Sequence, residues 1–171
     1  MESSRSPGKW TVRPGTPDDL PFLRDMLYLA ATWNPDRHTR SHDDVFSDVM
    51  VRGYVDGWGR DGDHSVIAID DRSIPLGAGW YRLFTRSDQG FGFIDESIPE
   101  ISIGVLNGHR GQGIGRALLE TLISDARIAR LQSLCLSVEE GNPARRLYER
   151  LGFREHSSAA PSSTLRRDLD Q

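Results

Sequence analysis

The chain has 171 residues, enough for one domain with a real core and too few for two of ordinary size. Its 37% hydrophobic and 27% charged residues are those of a globular protein and not of a disordered one. A formal net charge of −4 without a Lys/Arg stripe argues against a nucleic-acid partner, and no stretch approaches the ~18 apolar residues of a membrane span.

The first eight residues are polar and expected to be loose, so the domain is read over residues 9–171. Residues 9–13 suit a short strand with Trp10 and Val12 on one face. Thr16-Pro17-Asp18-Asp19 reads as a helix start, with Leu20, Leu23, Leu27 and Ala30 following at helical spacing. Ser41-His42-Asp43-Asp44 opens a second helix carrying Val45, Phe46, Val49 and Met50. After the Asp61-Gly62-Asp63 turn signal, strands are expected at 65–70 and 77–85, then a polar, aromatic-dotted loop at 86–98 and a strand at 100–106. Residues 113–130 form a long amphipathic helix through Ile114, Leu118, Leu122 and Ala126, widened by Leu119 and Ile123. A strand at 133–138 precedes a helix at 142–151, with Asn142 at the cap, Pro143 at the first position and Gly152 past the end. Strands at 153–155 and 163–168 close the chain, with the Ser/Ala/Pro run between them as a loop. The unit from 100 to 138 is strand–helix–strand and requires a parallel pair. The earlier strands, joined by tight turns, should be antiparallel, and the fold is a mixed α/β sheet.

Between the 100–106 strand and the long helix lies Arg110-Gly111-Gln112-Gly113-Ile114-Gly115-Arg116. Glycines here let the backbone approach a ligand, and the N–H groups of a helix start are unpaired donors suited to phosphate oxygens. Arg110 and Arg116 add cationic reach. No Gly-Lys-Ser/Thr follows, and the third glycine of a dinucleotide fingerprint would fall on Arg116, so neither nucleotide motif fits. The bland alternative is a tight strand-to-helix turn.

With its downstream block Asn142-Pro143-Ala144-Arg145-Arg146-Leu147-Tyr148-Glu149-Arg150-Leu151-Gly152-Phe153, this turn resembles the GCN5-related N-acetyltransferase (GNAT) superfamily. Asn107-Gly108 stands where many members carry proline. The resemblance implies a largely antiparallel sheet with a central splayed parallel pair and helices on both faces. It implies acetyl-CoA as acyl donor, its pyrophosphate on the backbone of Gly111, Gly113 and Gly115 with Gln112, Ile114 and Arg116 between them. Ile103-Gly104-Val105 should be bulged and pair with the pantetheine arm, which Asn142 also touches. The Tyr148 hydroxyl should lie near the thioester sulfur.

An alkyl amine of pKa ~10.4 is protonated near pH 7, so about 4 kcal/mol must be met by a base or by the site. Glu100 is the first candidate, matching an acidic position many members use, with Asp95 and Glu96 in reserve; a solvated strand-end carboxylate is its alternative. The N–H of Val105 could stabilise an oxyanion. Tyr148 could protonate the departing thiolate, though it also borders an apolar helix face and could be a core tyrosine.

Cys135, the single cysteine, reads as a small buried hydrophobe. His38 and His42 lack a third metal ligand, and His64 and His109 are lesser candidate bases. Trp33, Trp58, Tyr81, Phe84, Phe91 and Phe93 line an acceptor pocket or are core. The sequence reading is thus an N-acetyltransferase acting on a primary amine of a small molecule or peptide, cytoplasmic, metal-free, with a homodimer a reasonable expectation. A non-catalytic acyl-CoA-binding module of the same fold and a nucleotide-binding protein are its rivals.

Overall fold

A computed structural model describes residues 8–37 and 40–169. Residues 1–7 of the expected loose N-terminus and His38 fall outside the described residues. Strand β1 (Trp10–Pro14) is followed by a 3-10 turn at Pro17–Asp19 and by α1 (Leu20–Ala31). Asp19 accepts from the Thr16 N–H at 2.7 Å and pairs with Arg13 at 2.8 Å, so the acid stabilises a helix entrance, as its place in the sequence suggests.

The second expected helix is broken in two. It comprises α2 (His42–Phe46), capped by Ser41, which accepts from Asp44 N–H, and α3 (Val49–Arg52), capped by Asp48. Val49 and Met50, expected on one helix with Val45 and Phe46, are 65% and 41% exposed. The new cap at Asp48 resets the helical phase and turns them outward while burying Val51.

Strands β2 (His64–Asp70), β3 (Pro75–Arg82) and β4 (Glu100–Val105) follow, then α4 (Ile114–Ile128), β5 (Ser133–Glu139), α5 (Ala144–Arg150), β6 (Arg154–Ala159) and β7 (Ser162–Asp168). β3 stops at Arg82, three residues before the expected end. The stretch between the closing strands, expected as a loop, mostly belongs to the β6–β7 hairpin. The sheet has seven strands in the order β1-β2-β3-β4-β5-β7-β6, antiparallel except for β4 and β5.

Helix α4 buries Ile114, Leu118, Leu119, Leu122, Ile123 and Ala126 against one face of the sheet, where Ile101, Leu134, Leu136, Val138, Tyr148 and Phe153 complete the cluster. Burial of each such Leu or Ile contributes about 1.5–3 kcal/mol. On the opposite face α1, through Leu23, Met26 and Leu27, packs with Val45, Val51, Tyr54, Ala78, Trp80 and Phe84. Gly104 permits this contact, because a Cβ there would lie 2.6 Å from the Met26 carbonyl. Helices thus cover both faces, and each layer delivers different side chains to the seam between β4 and β5.

Candidate functional site

The parallel pair meets at one point. Glu100 is the register partner of Cys135, and the Cys135 N–H donates to the Pro99 carbonyl at 3.0 Å. Beyond this bridge β4 and β5 part, as the splayed pair requires. The expected bulge in β4 is absent: β4 matches β3 residue for residue from Glu100–Arg82 to Val105–Gly77. The irregularity of this sheet region lies instead between Ala68 and Ile69 of β2. The Leu106 N–H donates to the Leu76 carbonyl at 2.9 Å. Counting back in antiparallel alternation, Gly104 also bonds to β3, whereas the N–H and C=O of Ile103 and Val105 face the gap toward β5. The regular strand therefore turns donors and acceptors into the gap without a bulge, because β5 lies apart; of these, the Val105 carbonyl takes a long contact from Arg110 Nε. Gly104 serves the close approach of α1 rather than the gap.

At the far end of β4 the chain turns through a 3-10 segment, Asn107–His109, into α4. Gly111 and Gly113 have φ of +74° and +84°, a region that favours glycine, and Gly113 caps α4. The first bond of the helix runs from the Ala117 N–H to the Gly113 carbonyl at 3.0 Å. The N–H groups of Ile114, Gly115 and Arg116 consequently have no acceptor within the helix. Nothing lies within 4 Å of a Cβ built on Gly111, and only Trp10 approaches that of Gly113, so the turn is open. Gln112 is half-buried beside it. The two arginines point elsewhere: Arg110 Nε donates to the Val105 carbonyl at 3.4 Å, and Arg116 pairs with Glu120 at 2.8 Å on the helix surface. Exposed pairs of that kind contribute little and release readily.

Asn142 accepts from the Ala144 N–H at 3.0 Å and caps α5, which begins two residues later than expected. Tyr148 on α5 is 8% exposed and edge-on to Phe153, and its hydroxyl makes no hydrogen bond among the described residues. Burial pushes its pKa to about 12, so the phenol keeps its proton near neutral pH. It is both a core tyrosine and an uncommitted hydroxyl.

Glu100 lies on the other face and is not a solvated strand end. It is 1% exposed, and burial raises its pKa to about 7 against the partial opposition of hydrogen bonds from the Tyr54 hydroxyl and the Gly92 N–H. Oε1 receives both bonds, while Oε2 is buried with no partner. Glu100 and Tyr148 thus stand on opposite faces of the sheet, on either side of the seam.

The reserve acids are exposed. Asp95 is bonded to Ser97, which lowers its pKa, and Glu96 accepts from the Arg86 N–H. His64 pairs with Asp125 at 2.7 Å beside Tyr81, on the α4 side. His42 stacks on Tyr28, and no cluster of metal-ligating side chains exists among the described residues. Cys135 is fully buried, its thiol pushed up by burial. Of the aromatics weighed for the acceptor side, Tyr81 and Phe84 are core, Trp58 lies over the Arg82 guanidinium, and Phe91 is 50% exposed and stacked on Tyr54.

Sequence reasoning missed Tyr54, Gly90 and Gly92. The alternation Gly90-Phe91-Gly92-Phe93 was a usable signal, since glycines between aromatics mark a backbone pressed against something. No local pattern announced Tyr54.

A family model described as an acetyltransferase (GNAT) domain matches residues 60–155. Over 87 residues the chain is 39% identical to N-alpha-acetyltransferase 40 of Saccharomyces cerevisiae, covering 44% of this chain and 30% of that protein. Over 54 residues it is 43% identical to the [ribosomal protein bS18]-alanine N-acetyltransferase of Haemophilus influenzae, covering 32% of this chain and 37% of that one. The matches therefore span about a third of these relatives. A Salmonella typhimurium protein solved with its cofactor acetyl-CoA superposes with a TM-score of 0.64 at 21% identity, covering 95% of each chain. That likeness is one of fold. No helix among the described residues is long and apolar enough to cross a membrane.

Proposed function

Because the chain belongs to the acetyltransferase (GNAT) domain family, we propose that residues 9–171 form one catalytic domain moving an acetyl group from acetyl-CoA to a primary amine by direct attack. The observation that carries this is the buried Glu100, with its pKa near 7, at the point where β4 and β5 part.

The residues present fit the donor. Free N–H groups at the start of α4, with the backbone of Gly111, Gln112 and Gly113, suit a diphosphate, and Arg110 and Arg116 are within the same turn. The gap-facing edges of Ile103 and Val105, with Asn142 across from them, suit the amide-bearing arm of coenzyme A. Acetyl-CoA supplies an acyl group already activated as a thioester. Glu100 removes the ammonium proton of the acceptor, and the free amine forms the C–N bond as the C–S bond breaks. Tyr148 gives its proton to the departing sulfur, whose thiol pKa is ~8.5, and is reprotonated by the proton the nitrogen sheds on becoming an amide. Acid and base act from opposite sides of the sheet through the gap, which keeps the two proton transfers from short-circuiting.

A base near pH 7 is better matched to an α-amino group of pKa ~7.7–8.0 than to an alkyl amine of ~10.4. The names of the two relatives, an N-alpha-acetyltransferase and a ribosomal-protein alanine N-acetyltransferase, point the same way, so peptide α-amines head the acceptor panel, followed by small-molecule amines. The test is calorimetric titration with coenzyme A and acetyl-CoA, then thiol release from acetyl-CoA across that panel. Absence of binding removes the assignment; binding without transfer to any amine favours a non-catalytic acyl-CoA-binding module.

A further inference from the structure

Glu100 is held by a residue no motif points to. Tyr54, 5% exposed, lies in the turn after α3, and three buried contacts fix that turn. Arg82 donates to the Gly53 and Asp56 carbonyls at 2.9 and 2.7 Å, and the Trp80 indole N–H donates to the Tyr54 carbonyl at 3.1 Å. Arg82 is itself clamped by both oxygens of Asp63, at 2.8 and 2.7 Å. The phenol therefore reaches β4 from a rigid support. Its oxygen accepts from the Phe91 N–H at 2.8 Å and its proton goes to Glu100 Oε1. The Gly92 N–H donates to the same oxygen at 2.9 Å.

The result is an asymmetric carboxylate. Oε1 has two donors and a fixed orientation; Oε2, equally enclosed, has none. Gly90 lies against Oε2, and a Cβ at that position would overlap it and come within 2.9 Å of the Tyr54 hydroxyl. Any larger residue would displace the carboxylate. Accepting a proton requires an uncommitted lone pair, and only Oε2 has one.

We propose that Tyr54 is a positioning residue that locks Oε1 and so makes Oε2 the atom receiving the acceptor's proton, in a niche Gly90 keeps clear. The inference rests on Glu100 being the base. The proton leaves the ammonium nitrogen and ends on Oε2, while Tyr54 keeps its own. Burial and the nearby Glu100 charge drive the phenol's pKa well up, so it donates a hydrogen bond without ionising. Other ionisable groups facing Glu100 are committed or neutral. Arg82, opposite on β3, is bound to Asp63, Cys135 on β5 stays a thiol, and Asp95 and Glu96 of the covering loop are exposed and bonded elsewhere.

The test is the pH profile of kcat/KM for the best amine in wild type, Tyr54→Phe, Gly90→Ala and Glu100→Gln. Loss of the Tyr54 donor should move the acid limb up by about one unit, a ~10-fold deficit below the limb that recovers at high pH. Site-specific 3-fluorotyrosine in place of Tyr54, a stronger donor that still accepts from Phe91, should move the limb down. Gly90→Ala should lower kcat/KM while leaving the KM for acetyl-CoA unchanged. A uniform loss in Tyr54→Phe with an unmoved limb overturns the inference, since a merely structural tyrosine would behave that way. If the Phe variant fails to fold, an unmoved limb in the fluorotyrosine protein overturns it instead. Undiminished kcat/KM in Gly90→Ala overturns the niche. Glu100→Gln with wild-type rate and limb would instead sink the base reading itself.

Discussion

Arg82 and Glu100 stand directly opposite each other on adjacent antiparallel strands, both buried, and they do not pair. Cross-strand partners share a face of the sheet, so an ion pair would be the simple outcome. Asp63 instead takes the guanidinium in a two-pronged contact, with side-chain exposures of 0% and 3%. Its cation thus spent, Arg82 does not offset the burial of Glu100, and burial outweighs the hydrogen bonds from Tyr54 and Gly92 to raise the carboxyl's pKa to about 7.

Asp63→Ala should therefore do two things. It strands a buried cation, destabilising the protein by about 3–5 kcal/mol, which urea unfolding would register. Replacing Arg82 and Asp63 together by Met and Leu should recover much of that loss. A single-mutant change under about 1 kcal/mol would show that the pair is not the anchor of the turn after α3.

The pH dependence of stability follows from Glu100. In the unfolded chain this carboxyl ionises near 4.5; in the folded one it holds its proton to about 7. Below 4.5 both states are protonated and there is no difference. Between the two values the folded state binds more protons, so stability falls as pH rises, and the penalty is complete above 7. Its size is on the order of 3 kcal/mol. Glu100→Gln should flatten this part of the stability profile between pH 4.5 and 8 by that order, as read from urea midpoints at each pH.

Tyr148→Phe removes a hydroxyl that bonds to nothing in the described structure. The thermal midpoint should hardly move, and coenzyme A affinity should persist. Turnover should fall by about 100-fold or more, within the range for a general acid. Wild-type kcat would remove Tyr148 from that role.

The glycines of the turn should separate by mutation. Gly113→Ala forces a side chain into φ near +84°, at a cost of about 1–2 kcal/mol, and should weaken coenzyme A binding through the altered cap. Gly115→Ala lies inside α4, where a new Cβ would meet Leu147 at 3.6 Å in ordinary contact. It should keep or slightly raise stability by helix propensity, about 0.5–1 kcal/mol. Calorimetry and thermal unfolding on the two variants check this ordering; equal effects would mean that backbone shape at Gly113 is not what the ligand reads.

Much of the scaffold was legible because it is encoded in local periodicity. Leu118, Leu122 and Ala126 recur at helical spacing and all are fully buried in α4. The order of elements followed from turn signals, and the parallel pair from the length of its crossover. The candidate site was legible where it depends on glycine and on Asn142 next to a helix start. It was illegible where it depends on contacts between distant segments. Tyr54 and Glu100 are 46 residues apart, and nothing in either neighbourhood signals the other. The same holds for the partition of Arg82 to Asp63. The broken second helix escaped because a single Asp48 cap outweighed a plausible apolar spacing.

The lone bridge between Glu100 and Cys135 makes the sheet behave as two plates joined at one edge, with α4 packed across the plate formed by β1 to β4. A molecule seated in the cleft would complete the missing ladder and stitch the plates together. Amide hydrogen exchange at Ile103 and Val105, fast in the empty protein, should then slow on loading, and the melting cooperativity of the two plates should rise together.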